Sequence, residues 1–382
     1  MDAKKYNKIK LAVAIAKGIT SFILIFLFLA SGLSLILENY LKRIFPNTYI
    51  LFIVFIIVTG TVAGIIFFPI NYYTEFYLEH KYNLSNQTFL KWIWENTKTL
   101  IVSGVIGIPI LLIFFYSLNK FNSLWWLPFA IILFVVSVML ARIVPIFILP
   151  LFYKILPVED EDLKNRIQIL AKNAGIKVEN VYKFNLSKNT KKANAAFTGI
   201  GKSKRILLGD TLLESYSADE IETVIAHELG HYKRKHIIKN IFIGTVSSFL
   251  TLFLIAYLYN LSLFWFGFTS IVQIAAIPLL SLWAMIISLV LTPISNLISR
   301  KFEYEADEYA VHSTNKREAF ISTLEKLTDQ NLGDREPNPL VEWFFYSHPS
   351  IKNRVKAIRN LLPGPINAKS KTIKDNLNMQ DI

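Results

Sequence analysis

The fold is decided by a sixty-residue stretch without a charged side chain, from Asn240 to Ser299: NIFIGTVSSFLTLFLIAYLYNLSLFWFGFTSIVQIAAIPLLSLWAMIISLVLTPISNLIS. A helix needs about 20 apolar residues to cross a hydrocarbon core of about 30 Å. The stretch therefore predicts two crossings and a turn, at about Asn240–Tyr259 and Gln273–Thr292, because three crossings would leave almost no connecting loops. The Tyr, Trp and Phe side chains between the crossings are typical of a membrane interface.

The whole chain has the composition of a membrane protein. Hydrophobic residues make up 53% of its 382 residues, charged residues 18%, and the mean hydropathy is +0.40. Four further stretches lack acidic and basic side chains: Gly18–Leu37, Ile50–Ile70, Thr99–Leu118 and about Leu124–Ala141. We predict a mainly α, polytopic membrane bundle of about six spans. The first stretch is interpreted as a retained span, because no small-x-small cleavage pattern follows it.

A metal-binding pattern precedes the uncharged stretch, His227-Glu228-Leu229-Gly230-His231. On a helix the two histidines share a face one turn apart, so both imidazoles can reach one Zn²⁺. Glu228 lies beside them, where it can take a proton from a water molecule and pass it to a leaving amine. The pattern predicts a zinc peptidase; the alternative is an amphipathic helix that happens to carry two histidines.

The third zinc ligand is predicted just after the uncharged stretch. A metzincin would need Gly at 234 and His at 237, where this chain has Arg234 and Ile237. Glu303 is the better candidate, because Asp307 lies one turn on and can accept the free N–H of a ligating histidine. Glu305 is the alternative ligand. One Zn²⁺ per chain, in a gluzincin-like α+β catalytic domain, is the prediction, and the absence of cysteine leaves only N and O ligands.

Charge predicts the topology. Lysines at positions 4, 5, 8, 10 and 17 hold the N-terminus in the cytoplasm by the positive-inside rule. Four spans in 1–150 then return the chain to the cytoplasm. The catalytic segments 151–239 and 300–362, which precede and follow the two spans in 240–299, are therefore predicted to be cytoplasmic. Residues 363–382 are predicted to form a mobile tail.

The number of crossings between His231 and Glu303 tests the predicted metal site independently of the histidine pattern. With two crossings, the histidine pair and Glu303 emerge on one side of the membrane and can share a zinc; three would separate them. The net charge of +13 is explained by the basic segments that set the topology and by attraction to anionic lipid. The lipid bilayer is therefore the expected partner, and no nucleic-acid motif competes with it.

A β-hairpin is predicted upstream of the metal motif, over Lys192–Leu208, where two apolar runs flank a Gly- and Lys-containing turn. Its first strand, with Asn194, Ala195 and Ala196, could bind a peptide substrate as an added strand. An ordinary hairpin that packs against the helix is an equally good interpretation.

Together these residues resemble the CAAX prenyl protease 1 group of integral-membrane zinc endopeptidases, over about 68–362. The resemblance is carried by Phe68–Tyr73 with Glu79–Asn83, Pro150–Lys154, Asn194-Ala195, His227–His231 with His236, and Arg300–Asp307. It implies cleavage near the C-terminus of a prenylated C-a-a-X peptide or a similar membrane-tethered protein. It also implies that His348 and Arg354 line the cleft, where they would polarise the substrate carbonyl or bind the oxyanion.

Two features depart from the group's pattern. Eukaryotic members have seven spans around a large chamber, whereas six are counted here, and Glu305 stands where Gln is often found. The implied location is the plasma membrane in a prokaryote and the endoplasmic reticulum in a eukaryote. An HtpX-type quality-control protease is the alternative enzyme, and a transporter the alternative of another class, although the spans almost lack ionisable residues. His80, His236 and His312 are interpreted as structural.

Overall fold

Six long apolar helices dominate the computed structural model, which describes residues 2–176, 180–198 and 205–362. By length and composition, the helices that can cross a membrane within these residues are Asp2–Ala30, Thr48–Lys81, Phe89–Leu124, Trp126–Phe152, His236–Phe266 and Ile274–Thr314. The predicted count of six spans in a mainly α bundle is confirmed, including the two crossings within the uncharged stretch.

The first four spans form the N-terminal part of the bundle. Its helices are α1 (Asp2–Ala30), α2 (Leu33–Ile44), α3 (Thr48–Asn71), α4 (Leu78–Lys81), α5 (Phe89–Phe121), α6 (Trp126–Ile143) and α7 (Leu149–Phe152). π-helical turns at Tyr72–Tyr77 and Val144–Ile148 join α3 to α4 and α6 to α7 without breaking the rods. Each π turn follows or contains a proline, Pro69 or Pro145, which removes a backbone donor and favours a wider turn.

The first span differs from its predicted bounds of 18–37. α1 begins at Asp2 and ends at Ala30, and Gly32, with φ 73°, then starts α2 in a new direction. Glycine adopts a positive φ without the steric penalty of a side chain, so a helix readily ends there. Apolar composition alone could not reveal the break, because α2 is as free of acidic residues at its start as α1 is at its end.

A four-stranded sheet lies outside the long apolar helices. Its strands are β1 (Ile155–Pro157), β2 (Asn180–Phe184), β3 (Ala195–Thr198) and β4 (Arg205–Gly209), in the order β1-β2-β4-β3, and α8 (Glu161–Asn173) connects β1 to β2. β3 and β4 are antiparallel, as the predicted hairpin requires, and the turn between them, 199–204, lies outside the described residues. Among the described strands β3 therefore forms one edge of the sheet.

The remaining helices build the candidate site around this sheet. They are α9 (Asp210–Ser215), α10 (Ala218–Lys233), α11 (His236–Ser262), α12 (Pro278–Thr314), α13 (Arg317–Gln330), α14 (Pro339–Phe345) and α15 (Ile351–Arg359). α10 starts with a capping box between Ser217 and Glu220. It buries Ile221, Ile225 and Leu229 in a core shared with the sheet, α8, α13 and α15. The metal-binding pattern thus lies on the central helix of this core.

α11 and α12 form the hairpin of the uncharged stretch. The indole of Trp283 donates to Ser262 at 2.8 Å, and the hydroxyl of Tyr259 donates to the carbonyl of Ile271 at 2.9 Å. α12 has 37 residues and is thus about 55 Å long at 1.5 Å per residue, far more than the roughly 30 Å of a hydrocarbon core. Its last turns therefore extend beyond the bilayer. The predicted tail, 363–382, lies outside the described residues.

Candidate metal centre

The candidate site is built where α10 and α12 meet. A Cβ added to Gly230 would lie 3.0 Å from the carbonyl oxygen of Ala306 and 3.1 Å from its Cα. Only glycine allows the two backbones to approach so closely. This contact holds the histidine motif against the Arg300–Asp307 segment.

Three ligand atoms converge at this contact. Atoms of His227, His231 and Glu303 all lie within 4.8 Å of one another, so one ion could be bound by all three. Nε2 of His227 and Nε2 of His231 lie 3.1 Å apart. The Glu303 carboxylate lies 3.4 Å from the first and 3.3 Å from the second. The structure thus brings together the three ligands predicted from spacing.

The charge and hydrogen bonding of the pocket fit a cation. Glu303 Oε2 is buried, and it has no hydrogen-bond partner among the residues that the structure describes. Burial lowers the pKa of His227, but Asp307 and Glu303 raise it more, to about 10. The site therefore favours positive charge, and two imidazoles with one carboxylate are the donor set expected of a zinc site with an open position.

Asp307 contacts the Nδ1 side of the His227 ring, and Arg354 in turn binds Asp307. An oxygen of Asp307 lies 2.8 Å from Nδ1 of His227, which leaves Nε2 free to face Glu303. Arg354 binds the same carboxylate through two nitrogens, at 2.8 and 2.5 Å. Burial lowers the pKa of the Arg354 guanidinium, but the Asp307 charge outweighs burial and keeps that pKa above its usual range. The structure thus engages Arg354 mainly with Asp307, although its Nη1 also lies 3.7 Å from Glu303.

Glu228 and His348 are the predicted catalytic residues with the fewest contacts. Glu228 is half-buried, and its side chain has no hydrogen bond or ion pair with any described residue. The His348 side chain is 65% exposed, and its Nε2 lies 3.5 Å from Glu303. The hydroxyl of Ser347 lies 3.1 Å from Nδ1 of His348. Both side chains are therefore free to contact a substrate.

Comparison with known proteins decides the family. A sequence model of peptidase family M48 matches residues 157–362, and a model of the CAAX prenyl protease N-terminal region, five membrane helices, matches residues 1–154. The chain belongs to peptidase family M48. It is a membrane-embedded metalloendopeptidase, and the M48 family implies zinc as its metal. The predicted resemblance and enzyme class are confirmed.

Its relatives span bacteria and eukaryotes. The metalloprotease YhfN of Bacillus subtilis is 30% identical and aligns with 93% of this chain and 84% of its own length. CAAX prenyl protease 1 of Saccharomyces cerevisiae is 33% identical, over 78% of this chain and 70% of its own. The crystal structure of S. mikatae Ste24p superposes with a TM-score of 0.84 at 29% identity, covering 94% of this chain and 88% of that one.

The M48 chain departs from the N-terminal family description in helix number. That description names five membrane helices over residues 1–154. Among the described residues of this region, four helices are long and apolar enough to cross. The twelve-residue α2 is too short to cross a hydrocarbon core of about 30 Å at 1.5 Å per residue.

The predicted substrate strand lies next to the metal helix. The ring of Phe197 on β3 is 5.8 Å from that of Tyr232 on α10. Ala195 and Ala196 pair with Leu208 and Leu207 on β4. The exposed Asn194 precedes β3, and its carbonyl accepts from the amide of Gly209 at 2.9 Å. The opposite edge of β3 faces away from β4 and is the edge on which a peptide could add.

Two residues that the sequence analysis names only for the resemblance or as structural make contacts at the site. Arg300 is buried and donates to the carbonyls of Glu342, Trp343 and Tyr346, at 2.6 to 3.2 Å. It therefore holds the end of α14 and Tyr346, which lies two residues before His348. Its signal in the sequence was an arginine directly after sixty uncharged residues. The second is His236, whose Nδ1 lies 3.0 Å from Nδ1 of His231.

The other two histidines do not approach the metal centre. Both ring nitrogens of His80 lie 2.7 Å from backbone carbonyls, those of Phe76 and Gln87. His312, half-buried near the C-terminus of α12, is not in the metal-ligand group. Glu305, the alternative zinc ligand, is also outside that group, because its Oε2 contacts Nε2 of His236 at 3.0 Å.

Proposed function

We propose that this M48 protein binds one Zn²⁺ through His227, His231 and Glu303 and hydrolyses peptide bonds near the C-terminus of membrane-tethered, prenylated substrates. The observation that carries the proposal is the convergence of three ligand atoms, two from α10 before the last two membrane spans and one from the end of α12, the last of them. When bound, zinc would polarise the scissile carbonyl and lower the pKa of the attacking water.

The chain's own side chains would handle the protons. Glu228, without a partner among the described residues, would take a proton from the attacking water and deliver it to the leaving amine. Asp307 would hold His227 in the tautomer whose Nε2 is free to ligate. The exposed His348 would donate to the developing oxyanion.

Substrate would lie along the edge of β3. An extended peptide pairs with an exposed strand through backbone hydrogen bonds, which tolerate varied side chains. The position of β3 beside α10 supports this proposal, because Phe197 of β3 lies next to Tyr232, the residue that follows His231. The small side chains of Ala195 and Ala196 would leave room for it.

The N-terminal lysines support a cytoplasmic site. Lys10 lies 2.9 Å from Glu79, which also binds Lys192 of the hairpin segment at 2.9 Å. The amide of Asn7 donates to the carbonyl of Leu332 at 2.7 Å. The basic end of α1 is therefore on the same side of the bundle as the catalytic residues. By the positive-inside rule that side is the cytoplasm.

The metal chemistry is tested by separating two glutamates. We expect Glu228→Gln to retain about one zinc per chain but lose hydrolysis, because the ligands remain and the base is gone. Glu303→Ala should lose both, because a ligand is missing. Metal content by mass spectrometry, alongside peptide cleavage, measures the two effects. Hydrolysis by Glu228→Gln at the wild-type rate would refute the assigned base.

The substrate class is tested with matched peptides. Relatives with the name CAAX prenyl protease 1 support the prenyl group, and apolar burial contributes about 0.8 kcal/mol per CH₂ where it occurs. A farnesylated peptide should therefore be cleaved with a higher kcat/KM than the same peptide without the lipid. Equal cleavage of the two, with faster cleavage of an unfolded membrane-protein segment, would favour quality control instead.

A further inference from the structure

His236 and Glu305 form a chain of contacts behind the second histidine ligand. Lys235, with φ 59° and ψ 30°, turns the backbone between α10 and α11. The turn places the buried His236 ring beside His231, with their Nδ1 atoms 3.0 Å apart. Nε2 of His236 then lies 3.0 Å from Oε2 of Glu305. His231 thus contacts His236 of α11, and His236 contacts Glu305 of α12.

Only one placement of protons satisfies every contact in this series. Nε2 of His231 faces Glu303 at 3.3 Å, so it must be unprotonated to ligate a metal, and the proton is on Nδ1. Nδ1 of His236 must therefore accept that N–H. The proton of a neutral His236 is then on Nε2, where it donates to the Glu305 carboxylate.

Neighbouring groups keep the His236 ring and the Glu305 carboxylate in place. Phe302 stacks on His236 with ring centroids 4.2 Å apart and an angle of 9° between the planes. Nζ of Lys239 lies 3.5 Å from Oε2 of Glu305 and 5.1 Å from the centroid of the Phe302 ring. The relay formed by His231, His236 and Glu305 is thus enclosed by an aromatic face and a positive charge.

We propose that His236 and Glu305 are positioning residues that fix the tautomer and orientation of His231, and so set the metal affinity of the centre. The two histidine ligands are then supported differently, His227 directly by Asp307 and His231 by a carboxylate acting through a second imidazole. Partners of this kind typically change metal affinity about 10–100-fold. The inference rests on the proposed zinc site.

The test compares zinc affinity of the purified, metal-stripped variants by competition with a chelator. His236→Leu removes the acceptor and should weaken zinc binding about 10–100-fold. Glu305→Leu should weaken it less, and Glu305→Gln should retain most of it, because an amide oxygen still accepts from Nε2–H. The absorption spectrum of Co²⁺ bound in place of zinc should change in both leucine variants, because the orientation of a ligand changes. His312→Leu is the control, and it should match the wild type.

The outcomes separate this relay from the proposed function. Wild-type protein that bound no zinc would overturn both. Normal zinc binding by the wild type, matched by His236→Leu and by both Glu305 variants with an unchanged Co²⁺ spectrum, would overturn the relay alone. If His236→Leu fails to fold, the Glu305 pair decides, because that side chain is 20% exposed and tolerates substitution better: equal affinity of Glu305→Leu and wild type would then refute the relay.

Discussion

Gly230→Ala should weaken metal binding although alanine is a better helix former than glycine. The new Cβ would lie 3.0 Å from the Ala306 oxygen, 3.1 Å from the Ala306 Cα and 3.2 Å from the Tyr309 Cβ. All three distances are shorter than the optimum of about 3.5–4.0 Å for non-bonded atoms. Two of the atoms are backbone, so relief requires α10 and α12 to separate by about half an ångström. Glu303 would move away from the histidines with α12.

The size of the effect follows from two opposing contributions. Overpacking in a close contact costs about 1–3 kcal/mol. Alanine in place of glycine within a helix stabilises it by about 0.5–1 kcal/mol. A net loss of about 1–2 kcal/mol remains. The metal-free protein can relax by letting the helices part, but binding of the ion draws them together again, so the loss should appear as zinc affinity about 5- to 30-fold weaker.

Chelator competition on Gly230→Ala and Gly244→Ala measures this effect against a matched control. A Cβ at Gly244, on α11, has no atom within 4 Å among the described residues, so the same chemical change there should leave zinc affinity unaltered. Thermal unfolding of both metal-free variants checks that the fold persists. Zinc affinity of Gly230→Ala within twofold of that of Gly244→Ala would refute the argument that backbone contact sets the distance between the ligands.

Three further predictions concern other parts of the protein. Asp307→Asn should lower metal affinity about 10–100-fold and destabilise the fold by about 3–5 kcal/mol, because the buried Arg354 loses its main charge partner; chelator competition and thermal unfolding check this, and retention of both properties would contradict it. Arg300→Met should lower kcat/KM about tenfold with metal content unchanged, since the carbonyls before His348 lose a donor of about 1.5–3 kcal/mol; unchanged kinetics would contradict it. Ser215→Cys and Lys356→Cys should be labelled from one face of oriented vesicles and Ser270→Cys from the other, and labelling of the first two from opposite faces would contradict the shared zinc site.

The span count and the clustering of the two histidines could be predicted because both depend on local patterns. A helical repeat places His227 and His231 on one face, and the length of an uncharged stretch fixes the number of crossings. The proximity of Glu303 followed from combining the two, since an even number of crossings returns Glu303 to the side of the histidines. The strand β3 followed from two apolar runs that flank a Gly- and Lys-containing turn.

What the sequence did not reveal depends on backbone direction. The end of α1 at Ala30 and the reversal at Lys235 are set by single residues with positive φ, Gly32 and Lys235 itself. A lysine in that conformation carries no sequence signal, so the contact of His236 with His231 could not be predicted. Glu305 remains an alternative ligand in the sequence for the same reason. Its spacing along α12 does not show that His236, at the start of α11, binds its carboxylate.

The continuity of α12 connects the bilayer to the chemistry. The helix runs without a break from Pro278 to Thr314, and Glu303 and Asp307 are on the same rod as the lipid-length segment before them. Arg300 is the first charged residue after that segment, and it is buried against two carbonyls of α14 and that of Tyr346, which starts the loop that carries His348. A displacement of α12 in the membrane would therefore move the third ligand and the His348 loop together. Because α10 supplies the other two ligands from the core of the catalytic part, the metal centre is complete only when the α11–α12 hairpin is correctly inserted.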